Sequence, residues 1–379
     1  MEWVKLGDIA EIVSGSTPKT GEKRFWGGNL PWITPAELIE GKKFIYSTER
    51  QITELGVKAA NLKIIPENSI LLTSRAPIGK VAINKIPLYT NQGFKSIVPD
   101  PNKLDVEYMY FWIRQYNDFL QHLGNGATFK EISKKVIEGI NFLLPNLETQ
   151  KSIVNKLSHL ETLIAKRQEQ IDALDALVES LFLEISEQVE GALVQFKTVA
   201  SIETNTVDDF ASFSDEYYLG VEDIEKKTGK ILKQVKVRDT KIKSSKNRFT
   251  RGTILYSKIR PNLNKVALPD FDGLVSTDVF PIKCGDKINK YYLLHELRSE
   301  KFVLYATLNS SGANIPRVNR KKVEDYTFKL PPITLQNRFA DYVTSIEAQK
   351  ESLRTSLAEL ETLFDALMQE AFSGHLNQS

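Results

Sequence analysis

Residues 143–157 read LLPNLETQKSIVNKL and residues 329–343 read KLPPITLQNRFADYV, and these two stretches decide the fold. Each contains a Leu-Pro step with a glutamine five residues after that proline, Gln150 in the first stretch and Gln336 in the second. Apolar residues follow both glutamines at the spacing of an amphipathic helix. A chain that begins the same helix twice, 186 residues apart, indicates an internal repeat.

The similarity extends to both sides of the helix starts. Identical residues recur at the same separation: Gly126 and Gly312, Glu138 and Glu324, Phe142 and Phe328, Leu181 and Leu367. Earlier in each copy, LLTSRAPIGKVAI (71–83) resembles LYSKIRPNLNKVAL (255–268). The sequence therefore predicts two copies of one unit, each a globular region of about 130 to 145 residues followed by a helix of about 40.

The long helices carry apolar heptads. Nine of ten seam positions in the first helix are apolar, with Arg167 as the exception, and Lys350 interrupts the matching seam of the second helix. A heptad sustained over this length favours a coiled coil. Because the second globular region begins where the first helix ends, the second helix must run back along the first. An antiparallel rod about 60 Å long is expected at 1.5 Å per residue.

The globular regions contain short β-rich runs punctuated by Pro, Gly and Asn, followed by apolar helical patterns at 105–123 and 290–308. The aromatic residues Tyr110, Phe111 and Trp112 are expected in the core. We predict an α+β fold, in which two similar α/β globular domains are joined by two long helices that form an antiparallel coiled coil with a pseudo-twofold internal repeat. The predicted segments are the globular domains 1–145 and 196–328, the central helix 146–195 and the C-terminal helix 329–379.

Charge is distributed unevenly along a chain whose net charge is only +2. The second globular region has 24 basic and 17 acidic residues, whereas the central helix has 4 basic and 9 acidic. Between Lys226 and Lys265, 14 Lys or Arg occur with a single acid, Asp239. A solvated lysine-rich edge would explain such a run. Its interleaved Asn, Ser and Thr instead favour a surface that binds phosphates and base edges.

Polar loops supply the candidate DNA contacts. Arginine can pair with guanine O6 and N7, and asparagine with adenine N6 and N7, in the major groove. The candidates lie in the loop SGSTPKTGEKRFWGG (14–28), at the turn after residue 74 and its counterpart in the second copy, in the basic run, and in GNGATFK (124–130) and SSGANIPR (310–317). They are Lys19, Lys23, Arg24, Arg75, Lys80, Asn125, Thr128, Lys130, Arg248, Arg251, Lys258, Arg260, Asn262, Asn264, Lys265, Asn314 and Arg317.

Enzyme and metal motifs are missing from the sequence. It contains no Walker A loop, no methyltransferase [Asn/Asp]-Pro-Pro-aromatic, no Gly-x-Ser-x-Gly and no His-Glu-x-x-His. Cys284 is the single cysteine and the four histidines have no metal-ligand spacing. The chain has no signal-peptide pattern or membrane-length apolar run, so a cytoplasmic location is expected. Two alternatives to a DNA reader stay open, a catalytic methyltransferase and a protein scaffold that does not bind DNA.

With these features assembled, the chain resembles the specificity (S) subunit of type I restriction-modification systems over essentially its whole length. The Leu-Pro-x4-Gln helix starts, the Gly-Ala turns at 126 and 312 and the two heptad segments carry the resemblance. The first helix start, LPNLETQ, and the second, LPPITLQ, both depart from the usual Leu-Pro-Pro with Glu-Gln.

The resemblance implies a function for each segment. Each globular region would be a target recognition domain that reads one half of a split DNA site. The long helices would set the half-site spacing and bind two methyltransferase subunits that methylate adenine N6. Restriction subunits would complete the complex. The chain itself would be non-catalytic and hold no cofactor, with S-adenosylmethionine, ATP and Mg on the partner subunits.

Overall fold

The computed structural model describes residues 2–39, 41–124, 130–187 and 193–374, and it divides into two compact units. Unit 1 comprises Met1–Arg167 with Ser356–Ser379, and unit 2 comprises Gln168–Thr355. Each unit therefore contains one globular region and part of each long helix. The fold class is α+β, as the sequence predicts.

Ten strands lie among the residues of unit 1 that the structure describes. They are β1 (Glu2–Lys5), β2 (Ala10–Ser14), β3 (Trp26–Ile33), β4 (Phe44–Ile45), β5 (Arg50–Ile52), β6 (Ile70–Leu72), β7 (Val81–Asn84), β8 (Tyr89–Thr90), β9 (Lys95–Pro99) and β10 (Asn141–Leu144). They form sheets in the orders β2-β9-β6-β7-β4, β5-β3-β8 and β1-β10. Its helices are α1 (Glu54–Ala59), α2 (Val106–Gln115), α3 (Asn117–Leu123), α4 (Lys134–Glu138) and the start of α5 (Leu147–Glu187).

Unit 2 repeats the central part of this plan. Its strands are β11 (Leu193–Gln195), β12 (Ala200–Ile202), β13 (Thr206–Val207), β14 (Tyr217–Leu219), β15 (Val235–Lys236), β16 (Lys246–Phe249), β17 (Ile254–Ser257), β18 (Val266–Ala267), β19 (Gly273–Ser276), β20 (Val279–Cys284), β21 (Ser310–Ser311), β22 (Arg317–Val318) and β23 (Thr327–Lys329). The sheet orders are β12-β20-β17-β18, β13-β16-β19-β14-β15, β11-β23 and β21-β22. Its helices are α6 (Lys290–Arg298), α7 (Glu300–Leu308), α8 (Arg320–Glu324) and most of α9 (Ile333–Phe372).

Each long apolar pattern after the strands is two helices instead of the single helix expected from periodicity. Tyr116 separates α2 from α3, and Ser299 separates α6 from α7. The Ser299 side chain accepts the backbone N–H of Phe302 and so caps the second helix of its pair. One non-helical residue leaves the apolar period almost unchanged, which is why the sequence pattern missed the break. Tyr110, Phe111 and Trp112 are buried, as predicted.

The long helices pack antiparallel within each unit. In unit 1 the first turns of α5 share a core with the last turns of α9 through Val154, Leu157, Leu160, Phe364, Met368 and Phe372. In unit 2 the last turns of α5 share a core with the first turns of α9 through Val178, Phe182, Ile185, Phe339, Val343 and Ile346. The predicted seam is buried or partly buried throughout. The buried face is wider than the predicted seam, because each helix also packs on its globular region. The additional buried residues are Val154, Phe182, Met368 and Phe372.

The repeated glutamine fastens each long helix to its globular region. Gln150 donates to the carbonyl oxygens of Lys103 and Pro145 and accepts the backbone N–H of Asp105, all at 2.8–2.9 Å. Gln336 makes the same three contacts with Lys287, Pro331 and Asn289. Both side chains are fully buried. The Leu-Pro-x4-Gln motif is therefore a structural joint, since its amide satisfies backbone groups that burial would leave unpaired.

Lys350 is the charged residue on the α9 seam, and it is only 4% exposed. Its Nζ bonds to Asp175 of α5 and lies 2.7 Å from Glu347 Oε1. These two carboxylates provide the partners that a buried ammonium requires.

Candidate nucleic-acid interface

In unit 2 the turn after β17 holds several of the cationic residues predicted to bind DNA. Arg260 and Asn264 both have left-handed backbone conformations, with φ of 46° and 50°, on either side of a short 3-10 turn. This geometry leaves the Arg260 and Asn262 side chains exposed. Within the described residues Arg260 makes no ion pair, so its guanidinium is available to a ligand.

The segment before β22 lies against this turn. The backbone N–H of Arg260 donates to Pro316 at 2.7 Å, and that of Val318 donates to the carbonyl of Lys258 at 2.9 Å. Lys258 and Arg317 share the carboxylate of Asp278, at 3.4 and 3.6 Å. The fold therefore brings together three of the predicted contact residues, Lys258, Arg260 and Arg317, with one acid among them.

The equivalent turn in unit 1 uses the same backbone contacts with different side chains. The backbone N–H of Ile132 donates to Ser74 at 2.9 Å, which matches the bond between Val318 and Lys258. Arg75 pairs with Glu131 at 2.9 Å, and the buried Lys95 contacts the other oxygen of that carboxylate at 2.9 Å. Partial burial alone would raise the pKa of Glu131, but the bonds to Lys95 and Arg75 hold that pKa below its usual value. In each turn two cations therefore share one carboxylate, and unit 2 adds Arg260, which is unpaired among the described residues.

Lys80 and Lys265 occupy equivalent positions, and both bind backbone oxygens. Lys80 Nζ donates to the carbonyl of Leu38 at 3.2 Å, and Lys265 Nζ donates to that of Val221 at 2.8 Å. Their own carbonyls accept the backbone N–H groups of Thr73 and Ser257. Each lysine thus ties a neighbouring loop to the turn, a positioning role that the sequence could not show.

The remaining unit 2 candidates spread over a wider surface. Arg248 lies in β16, where it pairs with Glu216 at 3.0 Å and covers the ring of Phe213. Arg251 is exposed in the following turn. The Asn264 amide donates to the carbonyl of Arg298 at 2.8 Å, so this asparagine supports the turn. Asn314 is exposed beside Arg317.

In unit 1 the loop 14–28 is tied down by two indoles. Trp26 Nε1 donates to the carbonyl of Lys19, and Trp32 Nε1 donates to that of Ser16, both at 3.2 Å. Lys23 is exposed without an ion pair in the described part of the chain, and Arg24 lies 3.3 Å from Glu22. Lys130 is exposed at the end of its loop. Asn125 and Thr128 lie outside the described residues.

Two sets of cationic residues were missed as individual contact residues. Arg50 is exposed at the start of β5 and stacks on Trp26. Lys226 and Lys227 are exposed in a hairpin whose backbone contacts the turn at Leu263 and Asn264. The 14-to-1 basic run had already marked the two lysines. No local pattern marked Arg50, because its partner is 24 residues away.

No helix within the described ranges is long and apolar enough to span a membrane. In the same residues no group of three or more His, Cys, Asp or Glu side chains could hold a metal ion.

Comparison with known proteins gives consistent matches. The family model described as the type I restriction modification DNA specificity domain matches residues 1–174 and again residues 194–362. The specificity subunit of the type I restriction enzyme MjaIX from Methanocaldococcus jannaschii is 41% identical over 182 residues, which are 47% of this chain and 42% of that protein. That match therefore spans less than half of the relative. The EcoDI specificity subunit from Escherichia coli is 25% identical over 423 residues, covering 99% of this chain and 89% of that protein.

Solved structures show the same fold. The S subunit of a type I restriction-modification system from M. genitalium superposes with a TM-score of 0.59 at 12% identity, covering 98% of this chain and 96% of that one. A chain from a study of the assembly and conformational transition of the type I R-M system also has a TM-score of 0.59, at 17% identity, with 99% and 98% covered.

Proposed function

Because the chain belongs to the type I restriction modification DNA specificity family, with two copies of the family domain, we propose that it is the DNA-reading subunit of a type I restriction-modification complex. Membership in this family confirms the resemblance noted in the sequence. In the proposal each globular region binds one half of a bipartite, asymmetric site on double-stranded DNA. The chain supplies recognition and no catalytic group.

The proposal that the two half-sites differ is supported by one observation. The two turns share their backbone hydrogen bonds, but Arg75 and Glu131 stand in unit 1 where Ile259 and Arg317 stand in unit 2. A shared backbone provides equivalent platforms, and different side chains offer different donors and acceptors to base edges. Two such platforms on one chain would read two different half-sites.

The long helices are proposed to set the half-site spacing and to recruit partners. Their mostly acidic exposed faces disfavour phosphates and suit protein contacts. We infer that they bind two methyltransferase subunits carrying S-adenosylmethionine, which must flip adenine out of the stack to reach N6. Restriction subunits would add ATP- and Mg-dependent cleavage of unmethylated DNA. Such a complex would act on chromosomal DNA in the cytoplasm.

The direct test is the methylome of a host that expresses this chain with its partner subunits. We expect N6-methyladenine at one split motif whose two halves differ and whose spacer has one length. The same host with the partner subunits alone is the control. Absence of new methylation in the presence of assembled complex would contradict the proposal, and a palindromic motif would contradict the asymmetry of the two readers.

A further inference from the structure

Unit 1 contains an arginine stacked on two tryptophans at the edge of the loop 14–28. Arg50 lies opposite Trp32 in the antiparallel pair of β3 and β5. Its guanidinium carbon is 4.0 Å from the ring centre of Trp26 and 5.2 Å from that of Trp32. The two indoles meet edge to face at 5.0 Å. Stacking against an indole face restricts the orientation of the guanidinium plane.

A β-bulge creates this arrangement. Both Trp26 and Leu30 pair with Ile52, so the residues between them bulge out of β3. Gly27 has φ of 76°, a conformation that favours glycine, and a Cβ at Gly28 would lie 2.4 Å from the Ile52 carbonyl oxygen. The two glycines therefore allow the bulge that brings Trp26 over Arg50. Bulges of this kind often re-aim a side chain.

Arg50 is left with an exposed and uncompensated charge. Within the described residues it makes no ion pair, whereas Arg75, Arg114 and Arg248 each contact a glutamate. The exposed Lys19 and Lys23 of the adjoining loop have no carboxylate partner in the described part of the chain either. The indole N–H bond to the Lys19 carbonyl holds this loop close to Trp26. A rigid guanidinium beside free ammonium groups is a suitable surface for DNA.

This cluster belongs to unit 1 alone. All four tryptophans of the chain, Trp3, Trp26, Trp32 and Trp112, lie in unit 1. Contacts that serve the fold occur in both units, as those of Gln150 and Gln336 do. An arginine stacked on tryptophan is found in unit 1 only, and it is therefore better explained by what that unit binds than by what the fold needs.

We propose that Arg50 reads a guanine in the half-site bound by unit 1, with two N–H groups of its guanidinium edge donating to O6 and N7. Trp26 holds the plane of the guanidinium, and Lys19 and Lys23 contact neighbouring phosphates. This inference rests on the proposed function. Guanine is the favoured target because a planar, pre-oriented fork matches its two major-groove acceptors.

The test is selection of duplexes from a random library by the assembled complex, followed by sequencing. Arg50→Lys keeps the charge but removes the fork, and Arg50→Met also removes the charge while keeping an aliphatic cover on Trp26. In both variants we expect the preference for guanine to fall about tenfold or more at one position of one half-site. The other half-site should be unchanged. Lys23→Ala is the matched control. We expect it to weaken binding to all sequences and to leave the selected motif intact.

The outcomes separate this inference from the proposed function. A motif that is unaltered in both Arg50 variants would overturn the guanine contact alone. If Arg50→Met weakens binding to all sequences equally and leaves the base preferences intact, Arg50 contacts a phosphate, and the guanine contact is also overturned. Failure of the wild-type complex to select any sequence would overturn the proposed function and this inference with it. The thermal unfolding of each variant is measured as a control. A variant that unfolds at the wild-type temperature has kept the fold of unit 1.

Discussion

Equivalent residues in the two units divide into those that support the fold and those that differ at the surface. Lys80 and Lys265 were predicted to contact DNA, and each has its ammonium on a backbone carbonyl. Arg260 has no such partner among the residues that the structure describes, and it is exposed. Of these three residues, Arg260 is therefore the best placed to contact a phosphate.

Arg260→Ala tests this assignment. If Arg260 contacts one phosphate, removing it should weaken binding to all duplex sequences and reduce the slope of log affinity against log salt by about 0.9. The measurement is a salt titration of DNA binding by the assembled complex. Arg354→Ala, an exposed arginine on α9 outside the candidate interface, is the control and should leave the slope unchanged. An unaltered slope in Arg260→Ala would remove this residue from the interface.

His295 should make unit 2 sensitive to acid. Burial, together with the nearby charges of Arg298 and Lys350, lowers the pKa of His295 to about 3. The unfolded chain takes up this proton near pH 6.5, so acidification between pH 6.5 and pH 3 favours unfolding. We expect this histidine to reduce the free energy of unfolding by about 2 kcal/mol between pH 6.5 and pH 5.

The check is urea unfolding of wild type and His295→Gln at pH 8 and pH 5. The loss of stability on acidification should be smaller in the variant by about the same 2 kcal/mol. His159→Gln, on an exposed position of α5, is the control and should behave as wild type. Equal losses in wild type and His295→Gln would show that His295 does not remain neutral in the folded protein.

The antiparallel helix pair contains a buried charge, Lys350, that we expect it to tolerate losing. Removing the Lys350 ammonium leaves Asp175 and Glu347, whose side chains are 58% and 50% exposed and can be solvated. Replacing a buried ion pair by an apolar residue of similar size is often neutral or stabilising. Lys350→Met should therefore melt at the wild-type temperature or above it.

The partner variant should behave in the opposite way. Asp175→Ala leaves the buried ammonium with one carboxylate, and we expect it to lower the free energy of unfolding by about 1–2 kcal/mol. Thermal and urea unfolding of both variants provide the comparison. Strong destabilisation by Lys350→Met would mean that the ion pair itself stabilises the helix pair.

The long helices and main strands were predictable because their signals are local and repeated. The heptads of α5 and α9 and the short apolar runs of β6, β9 and β17 each lie close together in the sequence. The breaks at Tyr116 and Ser299 were missed, since one residue does not disturb the period. The bulge at Gly27 and Gly28 was also missed, because it depends on the distant carbonyl of Ile52.

For the whole molecule, the proposal requires the helix pair to act as a ruler. Deleting residues 165–171 from α5 and 351–357 from α9 removes one heptad from each helix and preserves the seam. The pair would become about 10 Å shorter, at 1.5 Å per residue, which equals about three base pairs of 3.4 Å. Methylation mapping should therefore show the same two half-sites with a correspondingly shorter spacer.

A deletion that breaks the heptad provides the control for this experiment. Removing four residues from each helix shifts apolar positions out of the seam, so we expect loss of the folded protein and of methylation. An unchanged spacer in the seven-residue deletion would show that the helices do not determine the half-site separation.

The division into two similar halves was predictable, but much of the candidate interface was not. The repeat and the basic run pointed to the turns of both units. The charge state of those turns depends on partners that only the fold brings together, such as Arg75 with Glu131, 56 residues apart in the chain. Likewise, Arg50 gains its orientation from Trp26 across a sheet. Sequence separation of this size leaves no periodic pattern.

The confinement of every tryptophan to unit 1 has a practical consequence. Intrinsic indole fluorescence of this chain reports on one half only, with no engineered label. The fluorescence emission should change when a ligand binds against Trp26. It should not change when a ligand occupies the second half alone. The two halves can therefore be titrated optically as separate sensors within one molecule.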